Sequence, residues 1–72
     1  MDQYELRPRK SRDGWNLEGD RLSHGFLWYK DPDAALSFAE WHSRTRGCRV
    51  EIFDERESLI RVEEFLAGKF AY

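Results

Sequence analysis

The 72-residue chain reads as an α+β domain: an antiparallel sheet of about five strands, ordered β-β-β-α-β-β, with one helix packed across one face. Three observations predict this. Five short stretches alternate apolar and polar residues with period two, the mark of a half-buried strand. One stretch, Asp31 to Gly47, has helical punctuation and an apolar stripe at helical spacing. Turn-forming residues separate the first three strands closely enough to read as an antiparallel meander.

In "YELRPR", Tyr4, Leu6 and Pro8 alternate with Glu5, Arg7 and Arg9. Pro8 has no N–H for a ladder, so this strand is expected to lie at an edge or to end there. "KSRDG" is a turn with Asp13-Gly14 as its strongest signal, and "WNLEG" puts Trp15 and Leu17 on one face. A second turn around Gly19-Asp20-Arg21 leads into "LSHGFLWYK". Asp31 then suits an N-cap, Pro32 the first helical position and Asp33 the positive end of the helix dipole. The helix is expected from Pro32 to Arg46 with Gly47 as its left-handed stop. Its inward stripe is Ala35, Phe38, Ala39 and His42, flanked by Ala34 and Trp41, and Leu36 falls away from it. "CRVEIFD" turns Cys48, Val50 and Ile52 inward and Arg49, Glu51 and Phe53 outward; after a polar "DERE" turn, "SLIRVEEF" is expected to put Ile60 and Val62 inward. The predicted core is Leu6, Trp15, Leu17, Leu27, Tyr29, Ala35, Phe38, Ala39, Val50, Ile52, Ile60 and Val62.

The chain is expected to be one domain, with residues 3–65 as the folded core and "LAGKFAY", 66–72, as a tail whose Phe70 and Tyr72 suggest packing. A domain this small buries only about 60% of its unfolded surface. Net charge is −2 with both signs interleaved, so no global field draws nucleic acid or an acidic membrane. The lone Cys48 and the lack of an apolar leader at "MDQYELRPRK" point to the cytoplasm.

"GFLWYKDPDAAL" decides where a working surface lies. Side chains alternate along a strand, so Phe26 and Trp28 cannot share a face with Leu27 and Tyr29. Tyr29 is two residues before the N-cap and is expected under the helix, with Leu27. Phe26 and Trp28 are then left on the uncovered face, where Phe53 and Leu59 are also expected, amid Glu5, Arg7, Glu18, Arg49, Glu51 and Arg61. Aromatic groups within a charged rim make a contact surface for a protein partner or a second copy of the chain. The plain alternative is that Arg and Glu stems, or the tail, fold over the rings.

The Gly14-Trp15 strand, the aromatic Tyr29 at the end of the third strand, the Ala35…Ala39 helix and the hairpin containing Val50 and Ile52 together resemble a family of small bacterial proteins catalogued only as a domain of unknown function. The likeness runs from about Tyr4 to Phe65. It implies the fold and assigns no functional residue. "DERE" stands where that family has an Asp-Gly turn.

Other chemistries are weaker. His24, His42 and Cys48 lack metal-ligand spacing, so no metal or other cofactor is expected. Cys48 with His42 is the one pair suited to nucleophilic catalysis, without an evident oxyanion hole or cleft, so no enzymatic activity is expected. The glycines are too dispersed for a phosphate loop. Nucleic-acid contact is the main rival: Arg7, Arg9, Lys10 and Arg12 surround the first turn and suit phosphates, against the glutamates expected on the same sheet. No apolar run reaches the ~20 residues of a membrane span.

Overall fold

A computed structural model describes residues 1–9, 13–19, 21–22 and 25–68. In chain order the elements are β1 (Asp2–Arg9), β2 (Gly14–Gly19), β3 (Phe26–Tyr29), α1 (Pro32–His42), β4 (Cys48–Phe53) and β5 (Leu59–Phe65). One helix and a five-stranded sheet make the fold α+β. The strands lie in the order β3-β2-β1-β4-β5.

The sheet is mixed, which corrects the antiparallel expectation: β1 and β4 pair in parallel, from Asp2 beside Cys48 to Leu6 beside Ile52. The helix explains this. Strands β1 and β3 run the same way, being the first and third of a meander. Eleven helical residues carry the chain back about 16 Å, so β4 starts from the end where β1 and β3 started. Beside either free edge of the meander, it has to run parallel. Landing on β1 makes β1 the central strand rather than an edge. Pro8 is tolerated because it lies two residues beyond the last β1–β4 pair, where β1 has only β2 beside it.

Asp31 caps the helix as expected, its Oδ1 accepting from the Asp33 N–H at 2.9 Å. The helix ends four residues earlier than predicted, with Ser43 as its C-cap. Ser43 is buried and its hydroxyl is engaged by β1, so the chain leaves the helix where that contact is made. The inward face is also rotated from the predicted stripe. Ala35, Leu36 and Ala39 are buried, while Phe38 packs at the margin and Trp41 is 58% exposed. Leu36 therefore belongs to the core. The two alanines bring the helix backbone close to the sheet, and that closeness leaves room for Leu36 beside them.

The core consists of Tyr4, Leu6, Leu17, Ala35, Leu36, Ala39, Cys48, Val50 and Ile52, with Trp15, Leu22, Tyr29, Phe38 and Phe65 against it. Gly47 turns the chain from helix to sheet. Its φ is +77°, and a Cβ there would meet the Phe65 carbonyl oxygen at 2.8 Å. Its own carbonyl accepts from the Asp2 N–H at 2.9 Å, where the parallel ladder begins.

Ile60 and Val62 do not enter the core; they are 58% and 36% exposed. Phe53 pairs with Leu59, but Ile52 pairs with Arg61, because a bulge places one extra residue in β5. Without it, Ile60 and Val62 would sit opposite Ile52 and Val50. With it, Arg61 and Glu63 take those positions and Val62 pairs with Glu51 on the other face. The loop that sets this up is held by Asp54, whose Oδ1 accepts from the N–H groups of Arg56 and Ser58, and it contains Glu57 at φ 62°. In the tail, the Gly68 N–H donates to the Arg44 carbonyl at 3.1 Å. Phe70 and Tyr72 lie outside the described residues.

Candidate functional site

The face opposite α1 is built by alternation. Across the sheet, one row reads Phe26, Glu18, Glu5, Glu51, Val62, and the next reads Trp28, Asn16, Arg7, Phe53, Leu59. Phe26 and Trp28 thus share one edge, 45% and 38% exposed. Leu59 is 51% exposed at the other edge, beside half-buried Phe53. Strands β3 and β4 are three spacings apart, roughly 14 Å. The surface therefore has two apolar margins and a charged centre, the reverse of an aromatic centre in a charged rim. Arg61, expected here, points to the helix side and pairs with Glu63.

Each margin is held in place. The Trp28 indole fills the space a Gly14 side chain would need: a Cβ there would approach the ring to 2.5 Å. Arg9 reaches over the Phe26 ring at 5.9 Å, and the Arg7 guanidinium stacks on Phe53 at 4.1 Å.

In the centre, Arg7 donates to Glu5 and Glu57, and Arg49 pairs with Glu51 and Glu64. The Glu5 hydrogen bond, with the charges of Glu5, Glu18 and Glu57, outweighs partial burial and raises the Arg7 pKa further. Asn16 is 6% exposed, and its side-chain oxygen has no hydrogen-bond partner among the described residues. A buried unpaired acceptor costs about 1–3 kcal/mol. Nothing in "WNLEG" marks it, because on a polar-facing position of a strand an asparagine is unremarkable.

Two open depressions flank this face. One of about 460 Å³ has Arg9 and Lys30 facing Asp13 and Glu55 beside Trp15, a balanced charge set. The other, about 300 Å³, is lined by Gln3, Glu5, Glu18, Gly19 and Gly25 and is acidic. Of the four cations proposed around the first turn, Arg7 is engaged by carboxylates and Arg9 lies over Phe26. Lys10 and Arg12 lie outside the described residues.

Cys48 and His42 do not form a nucleophile–base pair. Cys48 is fully buried, its thiol points at the Ala39 carbonyl at 3.6 Å, and burial pushes its pKa up to about 11. His42 bonds instead to Tyr4, with Nδ1 and the phenol oxygen 2.8 Å apart. The phenol oxygen also lies 2.9 Å from Ser43 Oγ, and Ser43 donates to Asp2 Oδ2 at 2.6 Å. Since the Ser43 proton goes to the carboxylate, Tyr4 must donate to Ser43 and His42 Nδ1–H must donate to Tyr4. Burial works to raise the Asp2 pKa. Hydrogen bonds from Ser43 and Arg21, with the charges of Arg21 and Arg46, outweigh it and hold the carboxyl below its ordinary 3.8. This chain ties β1 to the end of α1. Sequence reading missed it because its members lie 38 to 41 positions apart.

Among the described residues, no group of three His, Cys, Asp or Glu side chains is placed to hold a metal ion. His24 is outside them. No helix among them is long and apolar enough to cross a membrane. No protein-family model matches the chain, and comparison with curated proteins and with solved structures finds no significant match.

Proposed function

We propose that this chain is a small, non-enzymatic, cytoplasmic interaction protein that binds a protein partner, or a second copy of itself, through the uncovered sheet face. Phe26 and Trp28 are the anchors, with Phe53 and Leu59 as a second contact across the charged centre. The observation that carries this reading is the pair of adjacent large rings, 45% and 38% exposed, on the side away from the helix. Aromatic groups dominate the energy of protein contacts, and a ring already seated on Gly14 loses little freedom on binding. The glutamate row Glu18, Glu5, Glu51 favours a partner presenting basic groups. With Glu57 and Glu64 the row outnumbers Arg7 and Arg49, so the centre stays net negative and repels a phosphate backbone, and protein contact is favoured over nucleic acid.

The test compares affinity capture by the wild type, Phe26→Ala and Trp28→Ala, each checked for folding by circular dichroism. A protein retained by the wild type and lost by both variants supports the reading. Equal capture by all three overturns it. A salt-sensitive affinity for duplex DNA that is unaffected at Trp28 would transfer the function to the basic turn.

A further inference from the structure

The second edge of the sheet carries information that the aromatic margin does not. Among the described residues, strand β5 pairs with β4 alone, and it is seven residues long. It has no Pro, Gly or Lys to block further pairing, whereas the opposite edge, β3, has four residues and runs straight into the helix. Leu59, Ile60 and Val62 on β5 are 51%, 58% and 36% exposed. An edge with unpaired backbone groups and exposed apolar side chains is a template for another strand.

The order of charges says which strand fits. Two antiparallel copies of β5 related by a two-fold axis must place one residue opposite itself. Centring on Arg61, Glu63 or Glu64 sets like charges face to face. Centring on Val62 sets Arg61 opposite Glu63 of the second copy, twice by symmetry, and Val62 opposite itself. Arg61 and Glu63 already lie on one face, 2.6 Å apart within one chain. In the paired arrangement they form a closed ring of alternating charge, with Val62 meeting its own copy on the other face.

The geometry points to a symmetric homodimer formed by antiparallel pairing of β5 with β5 about Val62, joining two five-stranded sheets into one of ten strands. Roughly six to eight backbone hydrogen bonds cross the axis in such a pairing. This interface is remote from Phe26 and Trp28, so it stands or falls independently of the anchors proposed above.

Sedimentation equilibrium tests it through charge exchange. The wild type shows concentration-dependent dimerisation. Arg61→Glu and Glu63→Arg each weaken it by roughly tenfold or more, because both symmetric cross-strand pairs turn from attraction to repulsion. An equimolar mixture of the two variants recovers a heterodimer, and the double exchange Arg61→Glu with Glu63→Arg recovers the homodimer. The double exchange also restores the pair within each chain, so the recovery on mixing, where neither chain has an internal 61–63 ion pair, is the discriminating result. Register is read by oxidation: Val62→Cys forms a disulfide-linked dimer, while Ile60→Cys, about 13 Å from its symmetry mate, does not. Cys48 is fully buried and does not interfere. A wild type that stays monomeric at all concentrations, variants that fail to recover on mixing, or cross-linking at position 60 rather than 62 would each overturn the proposal.

Discussion

Replacing Tyr4 with phenylalanine removes one oxygen from the fold and leaves the shape of the ring intact. That oxygen is the junction between β1 and the end of α1: it accepts from His42 at 2.8 Å and donates to Ser43 at 2.9 Å, in a residue with no exposed surface. Two hydrogen bonds are lost at about 1 kcal/mol each, and the buried Ser43 oxygen keeps only its donation to Asp2. Removing a buried hydroxyl recovers part of its desolvation cost. Bare His42 Nδ1–H, being in a half-buried ring, is partly rehydrated. The net loss is about 2 kcal/mol, which in a domain of this size lowers the melting temperature by roughly 8–16 °C. The assay is urea denaturation followed by tryptophan fluorescence, run as a cycle with Ser43→Ala. Because both variants break the same link, the double variant loses less than the sum, with a coupling of about 1 kcal/mol. A Tyr4→Phe loss below about 0.5 kcal/mol, or strict additivity with Ser43→Ala, refutes the donor chain deduced above.

Three further outcomes follow from the same structure. Cys48 has a folded pKa of about 11 against an ordinary 9.0, so the stability it contributes is complete below pH 9 and is lost as pH rises toward 11. The loss is on the order of 2 kcal/mol, and thermal melts between pH 8 and 11 show it; Cys48→Ala, less stable at pH 7, flattens the curve between pH 9 and 10, below the range where buried Tyr4 and half-buried Tyr29 take over. Gly47→Ala puts a Cβ against the Phe65 carbonyl at a positive φ, and costs about 3 kcal/mol or more by denaturant titration. Asn16→Val removes the unpaired acceptor from β2 and raises stability by about 1 kcal/mol; a loss instead would mean that the Asn16 oxygen is satisfied in solution.

Much of the candidate surface was legible from "FLWY" alone. Alternation places Phe26 and Trp28 away from Tyr29, and the N-cap at Asp31 places Tyr29 by the helix, where it packs on Phe38 with ring centres 6.2 Å apart. What alternation could not show was that Phe53 and Leu59 stand on the far side of a glutamate row. Distance across a sheet depends on strand order, and strand order is set by contacts between residues far apart in the chain. The parallel β1–β4 pairing was present in the direction count of a meander followed by one helix, whichever free edge β4 joined.

By itself, the amino-acid order determined the local states: five pleated segments, a helix capped at Asp31, and the side on which the apolar residues of the first four strands stand. These follow from backbone sterics and side-chain alternation within a few residues. The tertiary structure decided that β1 is central, that Leu36 is inside, that a bulge turns Val62 outward, and that Tyr4, Ser43, Asp2 and His42 meet. Each of those depends on packing and hydrogen bonding between distant segments, whose energies no local stretch contains.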